Sequence, residues 1–262
     1  MENEISGSLH LGLEEVDIWV ASLNCLPEFS RVMMKTLSTD EVEREFHFDS
    51  DRSRFLTARG ILRDILSRYL GCMAAEIRFA YQPYGKPRLD DPEFTGTGLR
   101  FNLSHSTDTA LYAVSRGREV GVDVESISSE LQWEQLANSF FSHKEVAKLQ
   151  QWPADRRTSA FFSCWTLKEA YVKARGEGLL IPLHSFEVAA GPGDEPVLVF
   201  ATNRNELDRW AFWKVPLGES LAGALAVEGR PSRLRLFNWH SAESQRPEQP
   251  RSIFLADASK GS

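Results

Sequence analysis

The chain has 262 residues, 42% hydrophobic and 26% charged, enough to fill one large core or two smaller ones. A formal charge of −7 at pH 7, from 30 basic and 37 acidic residues, disfavours a general nucleic-acid binder. No apolar stretch is long enough to span a bilayer, no basic-then-apolar leader follows Met1, and Cys25, Cys72 and Cys164 are too scattered for a zinc knuckle or disulfide framework, so a cytoplasmic protein with reduced thiols is expected.

The first predicted element is a strand over Val16-Asp17-Ile18-Trp19-Val20-Ala21-Ser22-Leu23. A short helix follows near Ser38, Glu41 and Val42. A long helix spans Arg52 to Tyr69, with Phe55, Leu62, Ile65, Leu66 and Tyr69 at the spacing of one buried face. Arg52, Arg54, Arg59, Arg63 and Arg68 crowd the rest of it, which makes an anion site plausible although a solvated arginine face has the same pattern. Tyr84-Gly85-Lys86-Pro87 is a turn shaped by its glycine and proline, and read by itself Lys86 is a surface lysine. Ser104 and His105 fall in a polar loop between the apolar runs Leu99–Phe101 and Ala110–Val114.

Val120-Gly121-Val122-Asp123-Val124-Glu125 alternates with period two, which places both acids on one face of a strand, about 7 Å apart. Their mutual repulsion is relieved either by solvent or by a hard cation with oxygen ligands, such as Mg²⁺ shared with substrate phosphate. Phe161, Phe162, Trp165 and Val172 mark a second long helix that stops at Gly176. Glu169 and Lys173 share a face there, as an ordinary ion pair or as groups that contact a phosphate or move a proton. Strands are predicted around Phe186–Val188, Val197–Phe200, Trp210–Val215 and Ala222–Val227. The pattern weakens after Gly229, so 231–262 is expected to be a tail, partly mobile, with Ile253-Phe254-Leu255 as its anchor.

The strand at Val16 and the strand at Val120 share their apolar phase at an offset of 104 residues, and Ser38/Ser142, Glu41/Glu145, Val42/Val146, Asp51/Asp155 and Arg52/Arg156 keep that register. An internal duplication follows. Trp19, Ala21 and Ile65 then stand where Asp123, Glu125 and Glu169 do, so the acidic site belongs to the second half. A seam between such units is a favoured ligand cleft.

Gly-x-Asp-x-Glu followed by Trp165-Thr166-Leu167-Lys168-Glu169-Ala170-x-x-Lys173, together with Tyr84–Pro87, Phe101-Asn102-Leu103-Ser104-His105-Ser106 and Gly176-Glu177-Gly178-Leu179, resembles the Sfp-type 4′-phosphopantetheinyl transferases. The resemblance covers about residues 40 to 190. It implies an α/β (α+β) pseudo-dimer of two similar halves, each a small sheet packed against a long helix, with the active site at the seam. Residues 1–119 would supply coenzyme A phosphate contacts and 120–230 the metal site, in a monomer. It also implies Mg²⁺ (with Mn²⁺ as an alternative) on Asp123, Glu125 and Glu169. Coenzyme A would be held by Arg54 (or Arg52 or Arg59), Lys86, Ser104, His105 and Lys173. The catalytic groups would be Glu169, Lys173 and His105, the base being Glu169, Lys173 or a metal-bound water. The implied reaction moves the 4′-phosphopantetheine arm to a serine of an apo acyl- or peptidyl-carrier protein of fatty-acid, polyketide or peptide synthesis and releases adenosine 3′,5′-bisphosphate. A metal-dependent nucleotide or coenzyme A phosphohydrolase, or a non-catalytic carrier-binding protein, would share many of these residues. No Gly-x-x-x-x-Gly-Lys-Ser/Thr loop or Gly-x-Ser-x-Gly elbow points elsewhere, and neither nucleic acid nor membrane is an expected partner.

Overall fold

The computed structural model describes residues 9–24, 27–189, 195–239 and 251–255. In chain order they form β1 (Glu15–Ser22), α1 (Pro27–Met34), α2 (Thr39–Val42), α3 (Asp49–Leu70), β2 (Phe79–Tyr81), β3 (Pro87–Leu89), α4 (Pro92–Thr95), β4 (Leu99–Ser106) and β5 (Thr109–Arg116). The second half contributes β6 (Val120–Ser126), α5 (Trp133–Phe140), α6 (His143–Gln151), α7 (Ala154–Arg175), β7 (Phe186–Ala189), β8 (Val197–Ala201), α8 (Glu206–Arg209), β9 (Trp210–Lys214) and β10 (Leu221–Glu228). Two last strands follow, β11 (Arg233–Asn238) and β12 (Arg251–Leu255).

Period-two alternation sorts these strands into layers. Trp19, Ala21, Ala110, Tyr112 and Val114 face α3 and close a core with Ile61, Leu62, Ile65 and Leu66. The alternate residues Val16, Ile18, Leu111 and Ala113 meet Val120, Val122, Val124, Leu225 and Val227. Beyond them, Phe212, Ala224 and Ala226 pack on Phe161, Leu167, Ala170 and Tyr171 of α7. The layers are therefore helix, sheet, sheet, helix, with a valine-rich interior shared by two similar lobes. One sheet has the order β12-β11-β1-β5-β4 and the other β6-β10-β9.

The duplication reaches into the side chains. In each half a serine precedes the short helix and its backbone N–H donates to a glutamate three residues on, Ser38 to Glu41 at 3.1 Å and Ser142 to Glu145 at 3.0 Å. Those glutamates are buried and receive the basic side chain of the long helix: Arg63 at 2.8 and 2.9 Å on Glu41, Lys168 at 2.7 and 2.8 Å on Glu145. Each cation also donates to a backbone carbonyl beyond its helix, Ile77 for Arg63 and Phe186 for Lys168. Both long helices have 22 residues and end on a left-handed glycine, Gly71 at φ 66° and Gly176 at φ 70°. Their spacing is one residue longer than the strand offset. Asp64 and Arg68, rather than Ile65 and Tyr69, are thus the counterparts of Glu169 and Lys173.

The segment expected as a tail returns to the first lobe. β11 lies parallel to β1, with Glu15 opposite Arg233 and Val20 opposite Asn238, and β12 runs antiparallel to β11. Ile253, Phe254 and Leu255 belong to that last strand. Alternating arginines masked the period of Arg233-Leu234-Arg235-Leu236, and one of them is the partner of a buried acid: half-buried Arg235 donates to both oxygens of Asp17, at 2.6 and 2.8 Å. The polar stretch 241–250 and Cys25 lie outside the described residues. Neither Cys72 nor Cys164 is in a disulfide.

Candidate active site

Gly121 decides where the acids go. A Cβ on it would stand 2.1 Å from the Ala170 carbonyl oxygen and 2.3 Å from the Ala174 nitrogen, so α7 crosses β6 with no side chain between them. Because Gly121, Asp123 and Glu125 share a face, that crossing sets both acids beside Glu169 and Lys173 on the helix. The opposite face, Val120, Val122 and Val124, is fully buried between the sheets.

Asp123 is 2% exposed, and its Oδ1 accepts from Lys173 Nζ at 2.5 Å and from Ser104 Oγ at 2.8 Å. Lys173 Nζ also donates to Ser104 Oγ at 2.8 Å. Asp123 Oδ2 is buried without a hydrogen-bond partner, which is costly for a carboxylate and marks an acceptor awaiting a cation or donor. Glu125 Oε2 accepts from Ser106 Oγ at 3.1 Å. Among the described residues, no hydrogen bond or ion pair reaches the Glu169 carboxylate. Burial raises the pKa of both Glu125 and Glu169, and the negative charge of Asp123 raises each further. The three acids thus lie in one another's fields, and all their donor atoms are hard oxygens of the kind Mg²⁺ takes. Among the described residues, however, no three His, Cys, Asp or Glu side chains stand close enough together to hold a metal ion. The ammonium of Lys173 is the cation at Asp123.

His105 belongs to the end of β4 and not to a loop, because the run from Leu99 to Ser106 pairs continuously with β5. Its side chain is exposed, yet partial desolvation and then the charges of Lys173 and Arg54 lower its pKa, with Asp51 opposing. Arg54, bonded through Nε to Asp108 at 3.3 Å, is thus close enough to act on the same imidazole. Arg54, His105 and Lys173 line one edge beside the acids, with the two fixed charges on Arg54 and Lys173.

Two other residues expected to bind coenzyme A phosphate, Lys86 and Arg59, are buried among groups of the chain itself. Lys86 is not a surface lysine: Nζ is held by Glu119 at 2.9 Å, the Val120 carbonyl at 3.2 Å and the Ala174 carbonyl at 2.9 Å, which uses all three of its protons. Burial lowers its pKa while Glu119 raises it. Arg59 is 4% exposed, encircled by Phe55, Phe79 and Tyr81, and burial lowers its pKa first of all. Arg52 donates to the Val42 carbonyl at 3.1 Å. Asn102 and Ser106, which the sequence motif contains but to which it gives no role, flank Ser104 on the same strand face. The signal was available in their constant separation from β6: Ser104 from Asp123 and Ser106 from Glu125, both by 19 residues.

Comparison with known proteins then assigns the family. Residues 119–226 match the 4′-phosphopantetheinyl transferase superfamily, and residues 23–116 match the 4′-phosphopantetheinyl transferase, N-terminal, family. The 4′-phosphopantetheinyl transferase HetI of Nostoc sp. (strain PCC 7120 / SAG 25.82 / UTEX 2576) is 37% identical over 224 residues, 85% of this chain and 91% of that protein. The chain belongs to the 4′-phosphopantetheinyl transferase superfamily. As a member it is an enzyme of that type. The 4′-phosphopantetheinyl transferase Sfp of Bacillus subtilis (strain 168) is 34% identical over 149 residues, 55% of this chain and 62% of Sfp. A putative 4′-phosphopantetheinyl transferase, slr0495 of Synechocystis sp. (strain ATCC 27184 / PCC 6803 / Kazusa), is 37% identical over 55% of this chain and 58% of that protein. The match therefore spans about three fifths of the length of those two relatives. Both lobes contribute to the candidate site, Ser104 and His105 from one and Asp123, Glu125, Glu169 and Lys173 from the other. No helix among the described residues is long and apolar enough to cross a membrane.

Proposed function

We propose that this enzyme is of the Sfp type and moves the 4′-phosphopantetheine arm of coenzyme A to a serine hydroxyl of an acyl- or peptidyl-carrier protein, with Mg²⁺, releasing adenosine 3′,5′-bisphosphate. The observation that carries the reading is the knot of Lys173, Ser104 and Asp123, which ties the two lobes together beside Glu125 and Glu169. Asp123, with its unpartnered Oδ2, Glu125 and Glu169 are the residues that would hold Mg²⁺, whose chemistry is to neutralise charge on the reacting pyrophosphate oxygens.

The remaining work falls to this chain's own side chains. Arg54, with His105 as a donor that a bound phosphate would help protonate, suits the 3′-phosphate, and Lys173 with the Ser104 hydroxyl suits the pyrophosphate, where charge develops as the P–O bond to the leaving group breaks. Glu169 is the best placed base for the carrier serine: nothing among the described residues bonds it, and its raised pKa makes it a stronger base than an ordinary carboxylate. Arg59 and Lys86 act by holding α3 and the β2–β3 hairpin in place. The carrier itself must present its serine at the seam.

The test is incubation with coenzyme A, Mg²⁺ and a panel of purified apo-carriers, read by intact-protein mass. Addition of one phosphopantetheine mass to a carrier, reversibly stopped by chelation, is the expected result. Glu169→Gln and Asp123→Asn should each lower the rate by about 10²- to 10⁴-fold. Hydrolysis of coenzyme A without a carrier would favour the phosphohydrolase instead, and near-normal transfer by the double variant would overturn the site.

A further inference from the structure

β4 and β6 are edge strands of separate sheets, so no backbone ladder joins them, and side chains of β4 bridge the gap. Asn102 Oδ1 accepts from the Val122 N–H at 2.9 Å, Ser104 Oγ donates to Asp123 at 2.8 Å, and Ser106 Oγ donates to Glu125 Oε2 at 3.1 Å. Ser106 is itself held, because its oxygen accepts the Ser126 N–H at 3.0 Å. A hydroxyl has one proton. With its oxygen turned to the backbone of β6, that proton is left for the carboxylate. No other side chain among the described residues bonds Glu125, whereas Asp123 is gripped by both Ser104 and Lys173.

We propose that Ser106 is the positioning residue for Glu125, fixing one carboxylate oxygen from the first lobe so that the other stays available to the divalent cation. This rests on the metal role given to Glu125 above. Outer partners of metal-binding carboxylates act in this way, by selecting one rotamer out of several. The arrangement also means that the first lobe, which has no acidic site of its own, sets the geometry of the second lobe's site.

The experiment measures Mn²⁺ binding to the full chain by electron paramagnetic resonance, without substrate, alongside thermal melting. Ser106→Ala should weaken Mn²⁺ binding by about tenfold, and Ser106→Thr, which keeps the hydroxyl, should restore most of it. In a Glu125→Gln background Ser106→Ala should add no further loss, since the two act through one contact. If Ser106→Ala melts early, Ser106→Cys, of similar size and a weaker donor, takes its place. Wild-type affinity in Ser106→Ala, equal loss in the alanine and threonine variants, or no Mn²⁺ binding by the wild-type chain would each overturn the proposal. The carrier assay is read separately: a wild-type protein that binds Mn²⁺ through Ser106 and Glu125 but modifies no carrier would refute the transferase reading and leave this one standing.

Discussion

Glu125 and Glu169 are held against their own ionisation. Burial and the charge of Asp123 raise both pKa values, so above those values the folded enzyme carries negative charge that the unfolded chain accommodates more easily. Ionisation therefore subtracts stability at neutral and alkaline pH, and the deficit fades as pH falls toward the ordinary carboxylate range. Glu169→Gln should accordingly melt higher than the wild type at pH 8 although it transfers poorly, with the gap closing as pH falls to the ordinary carboxylate range; a lower melting point at pH 8 would contradict this. His105 has the opposite polarity. Desolvation and the charges of Lys173 and Arg54 lower its pKa, leaving it neutral in the free enzyme near neutral pH, and a bound phosphate would favour its protonated form. Affinity for coenzyme A should then rise as pH drops, by at most about tenfold per unit for one proton taken up. Isothermal titration from pH 8 to pH 6 checks this, and His105→Gln should flatten the dependence relative to the wild type.

At the level of elements, two contacts place the long helices. The approach of α7 to β6 leaves no room for a methyl group at Gly121, whose added Cβ would meet backbone and not a flexible side chain. Gly121→Ala should cost about 1–3 kcal/mol or more in urea unfolding and depress transfer further than that loss explains, because the helix bearing Glu169 and Lys173 must shift. Lys168 sits in the motif that carries these two residues but is 0% exposed and spent on Glu145 and the Phe186 carbonyl. Lys168→Met should destabilise by about 3–5 kcal/mol through the carboxylate left unpaired. Its residual activity should follow the folded fraction, measured by circular dichroism on the same samples. These elements also show what the sequence can tell. Valine alternation marked the acidic face of β6, and the helical spacing with Gly176 marked the end of α7. Nothing local to Gly121 says that its neighbour is Ala170 or Ala174, so the pairing of the two motifs came from resemblance. Lys86, Arg59 and Lys168 could not be told from solvated bases, because their partners Glu119, Glu41 and Glu145 lie 18 to 33 residues away. The single extra residue between β6 and α7 was hidden too, since it falls in the irregular part between the elements that carry the repeat.

For the molecule as a whole, the duplicated lobes have diverged by exchanging polar groups for apolar ones at matching places. Trp19 stands where Asp123 does, stacked on Phe237 and covered by the Arg68 guanidinium at 5.4 Å from the ring centre. Asp64, the counterpart of Glu169, accepts from Arg68 and from the Trp239 indole at 2.6 and 2.7 Å. Those contacts fill the first lobe's version of the site, and Phe237 and Trp239 come from the C-terminal segment. Asp17, wholly buried, depends on the same segment for Arg235 and on Tyr69, whose hydroxyl donates at 2.6 Å. Arg235→Met should therefore cost about 3–5 kcal/mol, as for other buried charges deprived of a partner, and guanidinium denaturation would reveal it. A loss below 1 kcal/mol would show that Tyr69 suffices.

The parallel pairing of β1 with β11 has a consequence in time. The ribosome makes β1 well before β11, which follows some 218 positions later as counted between Asp17 and Arg235. Until then one side of β1 is an unsatisfied edge, with its N–H and C=O groups open to any other strand. Contacts so distant in sequence also form slowly. A chain halted between β10 and β11 would hold every residue of the acidic cluster and still be exposed to mispairing at β1, so termination there should yield aggregate rather than a shortened enzyme.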